Sequence, residues 1–163
     1  MTTATMMLQE MPPVSTLTVK TLFKGDVEVP EEDIVTFAGP LLGFAGLQRF
    51  FIYQTEPGPL YWMQALEDEK IAFCLLAPFQ AGLDPDLEIT GEDVADLGAI
   101  GSDDIVVYTL VVLDPDPKLV RTNLRAPILV CTRSHLAKQV VLQDNRLSVR
   151  FLLRDLGAKP TGP

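Results

Sequence analysis

The sequence predicts a mainly β protein with a small, single-domain, β-barrel-like fold, one short helix and a few helical turns. Short runs rich in β-branched and aromatic residues recur along the chain, and Gly, Pro and Asp clusters separate them about every 8 to 12 residues. The chain has 163 residues, 47% of them apolar, which suits one globular domain. This pattern is typical of a barrel and of a sandwich alike, and it does not choose between them.

Three segments are predicted along the chain. Residues 1–15 show no periodicity and are closed off by Pro12-Pro13, so we expect a flexible N-terminal extension. Residues 16–155 are expected to form the barrel domain, and residues 156–163 are expected to form a C-terminal tail.

Six strands are predicted in the first half of the chain, where apolar or alternating runs are bounded by turn residues. Gly25-Asp26 is predicted to form a Gly-first hairpin turn between the first two strands. Gly and Pro give the connection at 39–44 a defined shape. The predicted strands are 16–23, 27–30, 34–37, 49–53, 60–66 and 71–76.

One helix and further strands are predicted in the second half. Thr90 is expected to cap a helix over 91–97, and Gly98 is expected to end it. Glu92 and Asp93 suit its first turn because the helix dipole favours negative charge there. The other predicted elements are an acidic edge strand at 83–89, a buried central strand at 105–113, one helical turn at 118–123, and closing strands at 128–131, 139–142 and 148–153.

The charge of the chain is −9 and is unevenly distributed. Residues 84–117 include ten acidic residues and no basic one, whereas the chain from Lys118 onward includes nine basic and two acidic residues. Direct binding of nucleic acid is not expected, because phosphate binding needs clustered Lys and Arg. The acidic stretch is either a solvated face or a docking surface that steers a basic protein. The residues predicted for such a surface are Glu92, Asp93, Asp96, Asp103 and Asp104.

No pattern in the sequence predicts an enzyme, a metal site or a cofactor. The single histidine, His135, lies among positive charges, which disfavours it as a base or a ligand. Cys74 and Cys131 lie inside apolar runs and are predicted to be buried free thiols. The acidic run at 84–88 lacks the glycine of a calcium loop. A weaker enzyme hypothesis needs two carboxylates of the acidic stretch to converge in a cleft.

Two arginines support an alternative function. Arg121 and Arg125 have the R-x-x-x-R spacing with which PilZ-type barrels hold cyclic dinucleotides, although the companion motif is absent. The alternative is therefore a barrel that binds a small, cyclic-dinucleotide-like ligand through Trp62, Arg121 and Arg125. A large apolar cavity would favour this function, whereas a filled core with an exposed apolar patch beside the acidic surface would favour protein binding.

The turn at 123–127 is a further candidate surface. Pro127 fixes its own φ and favours extended geometry in the residue before it. The turn is predicted either to present Asn123, Leu124 and Arg125 to a partner or only to close the barrel.

The expected location is the cytoplasm, and the expected state is a monomer. The longest apolar run, at 105–113, is about half as long as a membrane-spanning helix. No Lys or Arg precedes Lys20, and the apolar run near the N-terminus is too short for a signal peptide.

Several segments together resemble the FliW family of bacterial flagellar assembly factors. The strongest matches are TNLRAPI at 122–128 and KQVVL at 138–142. The resemblance departs at 40–44, where Pro-Leu-Leu-Gly-Phe replaces the family's Gly-Leu-Pro-Gly-Phe, and at Cys131 and Ala137, where Asn and Gly are common. The other matching segments are 25–29, 33–37, 42–44, 61–65, 71–74 and Pro78-Phe79.

The resemblance implies a small, cytoplasmic, β-barrel-like protein without catalytic activity. Members of the family bind flagellin before export, and they bind CsrA, a small RNA-binding regulator that represses flagellin translation. When flagellin leaves the cell, the freed factor captures CsrA and releases the message, by an action viewed as allosteric rather than as RNA mimicry. The expected partners are therefore flagellin and a CsrA-type regulator, with no direct nucleic acid, no membrane and no cofactor.

Overall fold

The computed structural model describes residues 15–156, and it is built mainly from β-strands with one short α-helix. The mainly β, barrel-like fold predicted from the sequence is confirmed. The predicted extension at 1–15 and tail at 156–163 lie outside the described residues, apart from Ser15 and Leu156, and these boundaries stay predictions. The elements are β1 (Thr16–Thr21), β2 (Gly25–Pro30), β3 (Ile34–Phe37), β4 (Arg49–Tyr53), β5 (Leu60–Ala65), β6 (Ala72–Leu76), α1 (Gly91–Val94), β7 (Ile105–Val112), β8 (Arg121–Thr122), β9 (Ile128–Cys131), β10 (Leu136–Gln139) and β11 (Phe151–Leu152).

Strand β7 closes the barrel. It pairs with β6, and through its first four residues it also pairs with β9. The ring therefore runs through β7, β6, β5, β4, β3, β10 and β9 and returns to β7. Strand β10 lies parallel to β3, whereas the other described pairs are antiparallel. The predicted central role of the apolar run at 105–113 is confirmed, although the strand ends at Val112 and Leu113 is exposed.

The inner faces of the seven strands form the barrel core. Period-2 alternation places one residue in two inside, so each strand contributes to the same cluster. Phe50 lies at its centre, between Val35 and Ala65 in the sheet register and beside the rings of Phe37 and Phe73. The buried members of this core include Val35, Phe37, Phe50, Met63, Ala65, Leu75, Tyr108, Ile128, Val130 and Ala137. The barrel is thus filled by side chains.

A second core covers the outer face of β6, β7 and β9. Cys74 and Leu129 point outward from the barrel and meet side chains of the segments that follow β6, β8 and β10. These covering side chains are Leu83, Leu97, Leu124, Val140, Leu142, Leu147 and Phe151. Because the second core buries Leu97, it fixes the position of the acidic segment between β6 and β7.

The β1–β2 hairpin packs on the outside of the barrel and is fastened by Gln64. The Gln64 side chain is fully buried; its Oε1 accepts from the Leu22 N–H at 2.9 Å, and its Nε2 donates to the Glu69 carbonyl at 3.1 Å. Phe23, at the hairpin tip, packs on Trp62 with a ring centroid distance of 4.2 Å. The neutral amide can satisfy both kinds of backbone group at once, which an apolar side chain cannot do.

The predicted edge strand at 83–89 is wrong. Side-chain burial does alternate there, with Leu83 and Pro85 buried and their neighbours exposed, but the segment pairs with no strand of the described chain. Pro85 has no N–H to donate to a ladder, and Asp86 has a φ of 53°, which breaks the extended geometry. The alternation of side-chain burial here results from packing of one side of the segment against the second core, not from pairing in a sheet.

Other element boundaries differ from the prediction for similar local reasons. The β1–β2 turn is Leu22-Phe23-Lys24, followed by Gly25 at a φ of 66°, rather than a two-residue turn at Gly25-Asp26. The predicted helical turn at 118–123 is a 3-10 helix at Pro117–Leu119, followed by β8. The predicted strands at 139–142 and 148–153 are replaced by β10, which ends at Gln139, and by the two-residue β11.

Candidate functional site

The acidic segment between β6 and β7 is held in a defined shape by local hydrogen bonds. Thr90 Oγ1 accepts from the Asp93 N–H at 3.1 Å, and Asp93 Oδ2 accepts from the Thr90 N–H at 2.9 Å, so α1 begins with a capping box. A 3-10 helix at Ala95–Leu97 continues the turn, and Gly98 ends it at a φ of 76°. The capping and terminating residues predicted from the sequence are therefore confirmed, although only four residues are α-helical.

Three of the five predicted docking carboxylates have structural partners. Asp93 closes the capping box. Asp96 lies 3.1 Å from Lys138 Nζ in an exposed ion pair, which contributes little to stability. Asp104 Oδ2 accepts from the N–H groups of Ile100 at 2.8 Å and Gly101 at 3.3 Å, and Arg133 Nε lies 3.9 Å from it.

The other two carboxylates are unpaired within residues 15–156. Glu92 on α1 and Asp103, in the 3-10 helix Ser102–Asp104, are exposed and form no hydrogen bond or ion pair with a described side chain. Glu92 and Asp103 are therefore the two of these five carboxylates that a partner can contact without breaking a described contact within the protein.

An apolar groove lies in the same segment, lined by residues next in sequence to these two carboxylates. It is open to solvent and has a volume of about 550 Å³. One wall comes from Ile89 to Ala95, next to Glu92, and the other from Ala99 to Ile105, next to Asp103. Its apolar lining comes from Ile89, Val94, Ala95, Ala99, Ile100 and Ile105. We refer to this feature as the acidic groove.

Sequence reasoning located the carboxylates but missed the acidic groove. The only signal was that isolated apolar residues such as Ile89, Val94 and Ile100 recur within an acidic stretch. Ile100 is the most informative of these residues, because 79% of this large apolar side chain is exposed to solvent. A filled barrel beside an exposed apolar patch is the arrangement that favours protein binding over small-ligand binding.

The turn at 123–127 is tied to the loop that follows β10, and it does not line the acidic groove. Leu124 is fully buried in the second core, so it supports the turn from inside. Asn123 Oδ1 accepts from the Arg125 N–H at 2.9 Å. The Arg125 guanidinium donates to the Leu147 carbonyl at 2.7 Å and to the Asn145 carbonyl at 3.3 Å. A contact of Asn123 and Arg125 with a partner stays a prediction.

We expect Arg125→Glu to lower the free energy of unfolding by about 2 kcal/mol, since hydrogen bonds from a charged donor contribute about 1.5 to 3 kcal/mol. The substitution removes the donors to Leu147 and Asn145 and places a carboxylate against their carbonyls. Urea unfolding measures the loss. Exposed Arg150→Glu makes the same charge change and should cost under about 0.5 kcal/mol. Equal stability of the two variants, with partner binding lost only in Arg125→Glu, would show that the turn is a contact surface.

The residues of the alternative ligand site are engaged within the protein. Trp62 is covered by Phe23. Arg121 Nη1 donates to the Leu119 carbonyl at 3.0 Å and lies 3.8 Å from Asp114 Oδ2. Arg125 is committed to the carbonyls described above. Within residues 15–156, no described cavity is lined by all three of these side chains.

The two cysteines and the histidine lie in structural environments rather than in a reactive site. Cys74 and Cys131 are buried free thiols, as predicted. Burial raises the pKa of Cys74 to about 11, so its thiol stays protonated at neutral pH. His135 is in a turn at a φ of 61°, where its backbone joins Cys131 to Thr36. Among residues 15–156, no group of three His, Cys, Asp or Glu is arranged to hold a metal ion. Within the same part of the chain, no helix has the length and apolar composition to span a membrane.

The fold places the protein beside a solved flagellar assembly factor. The crystal structure of the flagellar assembly factor FliW matches this protein with a TM-score of 0.76 and 26% sequence identity, over 84% of this chain and 96% of that one. The family model described as FliW protein matches residues 18–153, and the chain therefore belongs to the FliW family.

Relatives named flagellar assembly factor FliW agree with this assignment. The Caldicellulosiruptor saccharolyticus protein is 33% identical over 79% of this chain and 85% of its own length. The Caldicellulosiruptor bescii protein is 34% identical over 83% and 89%, respectively. The Bdellovibrio bacteriovorus protein is 35% identical over 77% and 73%.

Proposed function

We propose that this protein is a non-catalytic, cytoplasmic binding protein that takes flagellin before export and, when flagellin is absent, a CsrA-type regulator. Capture of the regulator relieves its repression of flagellin translation. The match of the FliW family model over residues 18–153 carries this proposal. The filled barrel and the acidic groove support it, because they offer a surface for a protein rather than a cavity for a substrate.

Charge supports the choice of a nucleic-acid-binding regulator as one partner. A protein that binds RNA presents clustered Lys and Arg, and the acidic stretch at 84–117 has ten acidic residues and no basic one. The same charge disfavours direct RNA binding by this chain, and it raises the energy of RNA placed near a bound regulator. This charge therefore supports binding of the protein regulator rather than of its RNA.

Competition between the two partners is the decisive measurement. The purified chain is titrated with the flagellin and with the CsrA-type regulator of the same genome, first separately and then together, by calorimetry. A gel shift of a flagellin leader transcript bound to the regulator then reports release of RNA. We expect binding to each partner, release of RNA by the chain, and loss of that release when flagellin is added. A specific shift of the transcript by the chain alone, or no binding to either protein, would contradict the proposal.

A further inference from the structure

The acidic groove displays an apolar side chain that the fold itself does not use. Ile100 is 79% exposed, so its side chain contributes little to either core. Its backbone is nevertheless fixed, because the Ile100 and Gly101 N–H groups both donate to Asp104 Oδ2. The loop is therefore held in place by its backbone while Ile100 stays in water.

The walls of the acidic groove are shaped independently of any occupant. The capping box of Thr90 and Asp93 holds the first wall. On the second wall, the Thr132 N–H donates to the Asp104 carbonyl at 2.8 Å, which ties the loop to the end of β9. A preformed apolar groove loses less entropy on binding than a surface that must be ordered first.

Charge around the acidic groove selects the kind of segment that fits. Glu92 and Asp103 follow the lining residues Gly91 and Ser102 in sequence, and both are exposed and without a partner among residues 15–156. Asp96 and Asp104 are balanced by Lys138 and Arg133. A second copy of this chain would bring the same two carboxylates and a net charge of −9, so repulsion opposes that occupant.

The geometry points to a binding site for a basic amphipathic protein segment, whose apolar side chains fill the groove against Ile100 while its Lys or Arg residues meet Glu92 and Asp103. The inference rests on the proposed function in that it identifies the surface through which a basic partner is held. It also extends that function, because it assigns affinity to Ile100 and the apolar lining as well as to the acidic residues. Apolar contacts at the centre of an interface, surrounded by charges, are the arrangement in which a few residues dominate binding.

The first test uses defined peptides and the full chain. The probes are a helical peptide of Leu on one face and Lys on the other, the same peptide with Glu for Lys, and the same peptide with Ser for Leu. Amide NMR shifts are expected at Ile89, Val94, Ile100 and Ile105 with the Leu/Lys peptide. The Glu and Ser peptides are expected to bind at least about tenfold more weakly, since each loses either the charge or the apolar term. Equal binding of the Glu peptide, or shifts confined to another surface, would overturn the inference.

The second test uses Ile100→Ser, with Leu113→Ser as the matched control. Both side chains are exposed, Leu113 by 58%, so neither variant should unfold the protein, and Leu113 lies outside the acidic groove. We expect Ile100→Ser to weaken the Leu/Lys peptide about tenfold and Leu113→Ser to leave it unchanged. Equal affinity of the two variants for the peptide would overturn the inference.

The same two variants separate this inference from the proposed function. If the wild type binds flagellin and the regulator, and Ile100→Ser binds both as well as Leu113→Ser does, the groove inference fails and the proposed function stands. If the wild type binds neither protein but holds the Leu/Lys peptide in the acidic groove, the proposed function fails and the groove inference stands.

Discussion

Replacing Phe50 with alanine is expected to lower the free energy of unfolding by about 3 to 5 kcal/mol, the usual cost of removing a buried aromatic ring. Phe50 has no exposed surface, and its ring lies 5.2 Å from that of Phe37 and 6.2 Å from that of Phe73. Because strands pack around it on all sides of a closed barrel, the cavity cannot collapse by moving one strand alone. The loss is a large fraction of a typical stability of about 5 to 15 kcal/mol.

Urea unfolding monitored by circular dichroism measures this loss, and Phe79→Ala is its control. Phe79 follows β6 and is 53% exposed, so the same chemical change should cost under about 1 kcal/mol there. If Phe50→Ala does not fold, Phe50→Leu is expected to retain the fold with a loss of about 1 to 2 kcal/mol. A cost for Phe50→Ala no larger than that for Phe79→Ala would mean that the barrel interior is not packed around this ring.

The parts of the fold that the sequence predicted correctly depend on local chemistry. Thr90 and Gly98 mark the ends of the helical segment for local reasons. The Thr90 side-chain oxygen accepts a hydrogen bond from an N–H of the first turn, and Gly98 adopts the positive φ that ends the helix. The apolar run at 105–113 indicated a strand with neighbours on both sides for a similar reason, since its side chains leave no polar face. Such signals can be read without knowing which strands pair.

The parts that could not be predicted depend on contacts between distant residues. Closure of the barrel needs β7 to pair with both β6 and β9, and β10 must lie parallel to β3, about a hundred residues earlier in the chain. Residues 83–89 alternate in burial without pairing in a sheet, because packing of one side against the second core produces the same period as a strand. Only the tertiary packing distinguishes the two causes.

The candidate site could likewise be predicted only in part from the sequence. The composition located negative charge between β6 and β7, but it did not show that Asp93 and Asp104 are held by backbone N–H groups. It also did not show that the residues next in sequence to Glu92 and Asp103 line one apolar groove. The structure therefore changes which substitutions test electrostatic steering, since reversing Asp93 or Asp96 would also break a capping box or an ion pair.

The charge reversal that isolates steering is the double variant Glu92→Lys with Asp103→Lys. We expect it to slow association with a CsrA-type regulator about tenfold at low salt, because steering by complementary charge raises association rates by about 10 to 1,000-fold. Both residues are exposed and unpaired within residues 15–156, so the fold should be retained with a cost under about 0.5 kcal/mol per site. Stopped-flow measurement of the association rate at two salt concentrations tests the expectation.

The matched control is Glu32→Lys with Glu56→Lys, which makes the same change in net charge at exposed positions outside the acidic groove. If the net charge of −9 alone attracts the regulator, the two double variants will slow association equally. If the acidic groove is the docking face, only the first will do so, because charges act strongly within a Debye length of about 8 Å at physiological salt. The difference between them should disappear near 1 M salt, where that length falls to about 3 Å. A low-salt association rate unchanged in the first variant, with the regulator still bound, would mean that the acidic groove is not the docking face.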